Sequence, residues 1–169
     1  MGNSRAAARF QYHAMRLPSI LLERAVISGS AASVVSAAIL VARGQAELNA
    51  PAAPLNGPSQ WVWGLQAPYV NRASVRHTLV GYLIHHLASI FWGCFYEFAI
   101  QRRKARDPLE VAKVAAGTAA TAAFVDYCLT PERLQPGFQK RLSFASMVMV
   151  YAGFAAGLAA ATLAKASRR

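Results

Sequence analysis

Four apolar runs, separated by polar connections, set the pattern of the chain. They are Ala25–Ala42, Thr78–Ile100, Val111–Leu129 and Leu142–Ala164. Each approaches the ~20 residues that a helix needs to cross about 30 Å of hydrocarbon. The pattern predicts an all-α fold: one transmembrane domain over 1–169, built as an integral membrane four-helix bundle. The first and third runs are Ala-rich and only mildly hydrophobic. A long connection, 43–76, joins the first two. Pro51, Pro54, Pro58 and Pro68 exclude a regular helix through it. Trp61 and Trp63 suit a membrane–water boundary, where indole offers an apolar body and a polar N–H. The connection is expected to lie outside the cytoplasm, as a lid or as an interfacial anchor.

The second run, "TLVGYLIHHLASIFWGCFYEFAI", carries two histidines and a glutamate. Wound at 100° per residue, Tyr82, His85, Ser89, Gly93 and Tyr96 fall within about 60° of Thr78. His86 and Glu97 flank that face. Leu83, Leu87, Ile90, Phe91, Cys94 and Phe98 lie opposite. A polar stripe from Thr78 to Glu97 therefore faces protein, and the bulky side faces lipid. Small and hydroxylic residues on the other runs are available to meet it, among them Ser28, Ser30, Ser33 and Ser36 of the first. Depth along the helices pairs Glu97 with Lys113 near one boundary. It sets Asp126 level with Arg76 and His77 near the other, and brings Tyr151 to the level of the histidines. Gly153 and Gly157 form a GxxxG, which suits close helix packing within the chain or between chains.

Composition agrees with the membrane reading. Charged residues make up 15% of the chain, against about 25% in soluble domains. Net charge is +11, from 18 Lys+Arg and 7 Asp+Glu. Such an excess suits nucleic acid in a soluble protein, but here the basic residues flank the apolar runs and specify topology instead. Eleven lie before run one, between runs two and three, or after run four: Arg5, Arg9, Arg16, Arg24, Arg102, Arg103, Lys104, Arg106, Lys165, Arg168 and Arg169. Six lie on the other side: Arg43, Arg72, Arg76, Arg133, Lys140 and Arg141. The bias places both termini in the cytoplasm. The first run is expected to remain uncleaved, because "VARGQAEL" follows it without a small-x-small site.

Several chemistries are disfavoured. Adjacent His85 and His86 diverge by 100°, and His77 is eight residues from His85, about 12 Å along a helix. No metal site is expected. The other runs hold no histidine, so bis-histidine haem would require a dimer. No nucleophile-elbow motif supports Ser-His-Asp hydrolysis. Cys94 and Cys128 are expected at different depths and unbonded. Three functional expectations follow. The first is a structural, accessory or regulatory membrane protein without cofactor. The second is a small oligomeric conductor of protons or solutes along the Thr78–Glu97 stripe. The third is a membrane enzyme or haem protein. The expected partners are the lipid bilayer and either further copies of the chain or another membrane protein, with no nucleic acid.

The segments "APLNGPSQWVWG", "RHTLVGYLIHHLASIFWGCFYE" and "VDYCLTPERLQPGFQKRLS" resemble a family of small uncharacterised bacterial inner-membrane proteins. The likeness covers roughly Pro51 to Leu158. It implies inner-membrane localisation and four spans, and carries no activity with it. In that family a histidine commonly stands where this chain has Gln60.

Overall fold

In the computed structural model, residues 3–167 are described, with side chains from residue 19 onward. Of the basic residues that argue topology, Arg5, Arg9 and Arg16 have side chains outside that set, and Arg168 and Arg169 lie outside it altogether. Four long helices account for most of the chain: α1 (Asn3–Leu48), α2 (Val80–Arg103), α3 (Pro108–Phe124) and α4 (Phe144–Ala166). No strand occurs among the described residues.

Helix ends follow local chemistry. Asn49 takes a left-handed φ of 48° directly after α1, and Pro51 prevents resumption. Ser74 caps the chain entering α2 by accepting from the His77 N–H, and a π-helical turn, Val75–Leu79, runs straight into that helix. Asp107 caps α3 by accepting from Leu109 and Glu110, with Pro108 at the first helical position. After Phe124 the helix loosens into a second π turn, Val125–Leu129, and Thr130–Pro131 ends it. Ser143 caps α4.

Among the described residues, three helical stretches are long and apolar enough to cross a membrane: Ser19–Leu48, Val75–Arg103 and Phe144–Ala166. They contain the first and second apolar runs and all of the fourth from Phe144 onward. The third run is shorter than expected as α-helix. α3 has 17 residues, about 25 Å at 1.5 Å per residue.

α1 lies between α2 and α4, and α3 closes the arrangement against α4 and α2. Backbones meet at glycines. A Cβ on Gly29 would stand 2.6 Å from Ile90 Cα, and one on Gly93 2.8 Å from the Ala25 carbonyl oxygen. Both distances are below contact, so only glycine permits this α1–α2 crossing. Gly157 does the same for α4 against Ala32 of α1, at 2.5 Å. The GxxxG is thus used within the chain. Two apolar cores result, one around Tyr96, Val111, Phe154 and Leu158, the other around Leu40, Leu55, Phe138 and Val150.

The connection between α1 and α2, expected as a lid or as an interfacial anchor, is built into the helix array, with Trp61 and Trp63 on its exposed side. α1 absorbs residues 43–48, and the rest folds into short helical turns: Ala53–Asn56, Gly57–Ser59, Gln60–Trp63 and Ala67–Tyr69. Residues 53–60 are buried without exception. They form a plug in one end of the helix array. The plug backbone presses on α2, where a Cβ at Gly81 would come within 2.0 Å of the Leu55 carbonyl oxygen.

Candidate functional site

The stripe on α2 faces inward. Ser89, Gly93, Tyr96 and Glu97 are buried, whereas Leu83, Leu87, Phe91, Phe95 and Phe98 are exposed. His85 meets α1, with Nε2 2.9 Å from Ser36 Oγ. The Ser36 hydroxyl donates its one proton to the Ala32 carbonyl at 2.7 Å. With the proton so placed, the Ser36 oxygen is free to accept from the Nε2–H form of His85. His86 Nε2 lies 3.5 Å from Ser30 Oγ, and its ring packs 5.8 Å from that of Tyr82. Ser89 turns back to donate to the His85 carbonyl at 2.7 Å.

Across from this stripe, the π turn after α3 directs Asp126 and Tyr127 toward α4. Tyr151 donates to Asp126 Oδ2 at 2.6 Å. The Tyr127 hydroxyl lies 3.2 Å from that of Tyr151 and completes the cluster. Between the two groups lies a cavity of about 70 Å³, lined by Ser36, His85, Ser89, Asp126 and Tyr151 and roofed by Pro58, Trp61, Pro136 and Phe138. At about 15 Å³ per water it has room for a few waters. Asp126 was expected to pair with Arg76 or His77, and the structure corrects this. His77 Nδ1 is 3.3 Å from Ser59 Oγ, and the Arg76 guanidinium lies 4.5 Å over the Trp63 ring. The plug occupies the space between them and Asp126.

The chamber suits holding water and short hydrogen-bond relays. Ser36 is a poor nucleophile there, since its proton goes to a backbone carbonyl. It also sits mid-helix, where backbone N–H groups are already committed and supply no oxyanion hole. No group of three metal-ligating side chains occurs among the described residues.

The plug is held by residues that the apolar pattern does not reveal. Asn56 donates to the Val70 and Arg72 carbonyls at 2.6 and 3.2 Å and accepts from Thr78 at 2.7 Å. Gln60, fully buried, donates to the Glu132 and Gln135 carbonyls at 3.0 and 2.7 Å. Arg141 donates to the Pro68 carbonyl and to Asn71, both at 2.8 Å. Gly137, at φ 83°, lets its turn close on Gly57, where a Cβ would stand 2.6 Å from the Gly57 oxygen. Glu47 is another such residue. It accepts from the Ser143 N–H and hydroxyl, each at 2.8 Å, from Ser146 Oγ and from Arg43, tying the end of α1 to the start of α4.

At the opposite end of the helices the polar residues stand around an open cleft of about 500 Å³. Its lining includes Arg24, Ser28, Glu97, Gln101, Lys104, Arg106, Thr162 and Lys165. Glu97 was expected to meet Lys113 and does not. Lys113 bonds Glu110, one helical turn earlier on its own exposed face, at 2.8 Å. Glu97 is 5% exposed and faces Ser28, Arg24 and Lys165. The α2–α3 turn makes these helices neighbours, but Lys113 points away from α2.

Comparison with family models, with curated proteins and with solved structures gives no match.

Proposed function

We propose that the protein is a multi-pass protein of the bacterial inner membrane with a structural, accessory or regulatory role, crossing four times with both termini in the cytoplasm. The observation that carries this reading is the inverted polarity of α2. Leu87, Phe91 and Phe98 are 65%, 56% and 55% exposed, while Ser89 and Glu97 are 2% and 5% exposed. In water such a surface would be costly, at about 25 cal/mol per Å² of apolar area. In lipid the same arrangement is favourable. Val34 of α1 and Phe144 and Val148 of α4 extend the apolar exterior.

The accessory role, rather than conduction, is supported by what lies between the water-sized chamber and the basic cleft. Ala32, Tyr96 and Leu158 are each 0% exposed and form a packed layer between them, with Gly93 and Gly157 in close backbone contact. The chamber's own polar groups are bonded to one another.

The protein should resist alkaline extraction from bacterial membranes. Reporter fusions at residues 105 and 169 should read as cytoplasmic, and one at Gly57 as periplasmic. A periplasmic signal at residue 105 would overturn the topology, and release at high pH the membrane reading itself. A second reading, conduction of protons, is favoured by one observation: chamber and cleft both open onto the same stripe, through His85 and Glu97. Proton flux into reconstituted vesicles that disappears in His85→Ala would establish it in place of the accessory role.

A further inference from the structure

The basic cleft holds more positive charge than the fold offsets. Arg24 comes from α1, Lys104 and Arg106 from the α2–α3 turn, and Lys165 from the end of α4. One carboxylate, Glu97, shares the space, so the cleft is net positive. None of the three ion pairs among the described residues involves any of these five groups. The Nε atom of Arg24 is buried and has no hydrogen-bond partner among the described residues. Lys104 is held at φ 52°, the left-handed region that ordinarily favours glycine. It ends α2 as a left-handed C-cap, with the Ala105 N–H bonded back to the Ile100 carbonyl at 3.2 Å, and stands at the rim of the cleft.

The walls are amphipathic. Ser28, Gln101 and Thr162 add polar groups, while Ile27, Ile100 and Leu163 supply apolar surface alongside. A volume of about 500 Å³ lies within the range of about 300–1,000 Å³ common for small-ligand sites. Guanidinium and ammonium groups from the middle of α1, the α2–α3 turn and the end of α4 line the one cleft and match the oxygens of a phosphate ester. The apolar wall matches the start of an acyl chain. Basic clefts between helices on the cytoplasmic side take anionic headgroups for the same reason.

We propose that this cleft binds the phosphate group of an anionic phospholipid, with Lys104, Arg106, Lys165 and Arg24 as the recognising cations. Glu97, beneath them, rejects a second negative charge and favours a phosphodiester over a dianionic monoester. The inference goes beyond the accessory reading and rests on the membrane assignment only for the source of the phosphate.

The test uses the full chain purified in a neutral detergent, with unfolding temperature followed as lipid is added. Phosphatidylglycerol should raise that temperature saturably, and phosphatidylcholine should not. Lys104→Gln with Lys165→Gln, both at exposed positions, should weaken the apparent affinity for phosphatidylglycerol about tenfold. Arg102→Gln with Arg103→Gln, on the same exposed helix end but outside the cleft, should leave it unchanged. Equal stabilisation by the two lipids, or equal loss in the two double variants, would overturn the site. Saturation by inorganic phosphate alone, at concentrations that match phosphatidylglycerol, would overturn the lipid as its source. None of these outcomes depends on the alkaline extraction that tests the membrane reading.

Discussion

The two ends of the helix array solve the same problem differently. At the plugged end, polar side chains are many, and Asn56, Gln60 and Arg141 donate to carbonyls of the segments they hold together. At the basic end, the groups around Glu97 are charged, open to solvent and unmatched in number. Buried polar groups that are satisfied rigidify a fold, and their loss is expensive. Exposed charges contribute little to stability, so retaining several in one cleft directs attention to binding. The comparison teaches where to expect structural failure and where to expect loss of a ligand without structural failure.

The largest effect should come from Gly81→Ala. The added methyl would stand 2.0 Å from the Leu55 carbonyl. Backbone on both sides leaves no flexible atom to yield, so α2 and the plug must separate. A cost of about 3 kcal/mol is expected, at the upper end for overpacking. Unfolding in detergent measures it. A variant as stable as the parent would mean that the plug does not seat on α2. Next is Gln60→Leu, which keeps the volume but removes the shorter donor from the Glu132 and Gln135 carbonyls, leaving them the Gln135 N–H and Trp61 Nε1, each at 3.3 Å. The two lost hydrogen bonds should cost about 1.5 kcal/mol. The cost should vanish if the plug is loosely held. Tyr151→Phe removes the donor from Asp126 and should cost about 1 kcal/mol, within the range for interhelical hydrogen bonds in membranes. A neutral result there would mean that water fills the vacated position. Against all three, Lys104→Gln should change stability by less than about 0.5 kcal/mol in the absence of lipid.

What the sequence made legible is what helical periodicity governs. Ser89, Gly93, Tyr96 and Glu97 point inward, and Leu83, Leu87 and Phe91 outward, because 100° per residue holds along an unbroken α2. Ile90 is an exception on that wheel, as is the half-buried Cys94. Assigned to the lipid face, Ile90 has its Cα against Gly29, since the glycines let α1 sit to one side of the stripe. The plug was not legible. Four prolines signalled the absence of a long helix, but short turns tolerate proline at their first positions, as at Pro54, Pro58 and Pro68. Nor does composition show that Asn56, Ser59 and Gln60 are buried, because their partners are carbonyls up to 75 residues away. Asp126 does not meet Arg76 or His77 at its depth, because a π turn re-aims the chain after Phe124.

Depth also misled for Lys113, and that error yields the finest test of the comparison. Glu97 and Lys113 are at similar levels on adjacent helices, yet level does not fix azimuth. Lys113 follows Glu110 by three residues, a spacing at which side chains meet on a helix surface, and the two pair there at 2.8 Å with side chains 58% and 46% exposed. A pair so exposed contributes at most a few tenths of a kcal/mol. Glu97 instead looks into the cleft toward Arg24 and Lys165. Lys113→Gln should therefore be nearly silent, and its effect should add to that of Glu97→Gln within about 0.3–0.5 kcal/mol. Glu97→Gln with Lys165→Gln should depart from additivity, because each change alters the field the other group feels. A double-mutant cycle on unfolding in detergent resolves the two cases. Coupling between Glu97 and Lys113 instead would bring α3 around to face α2. The carboxylate would then be a structural partner, and the cleft would lose the one negative charge that sets its preference for a phosphodiester.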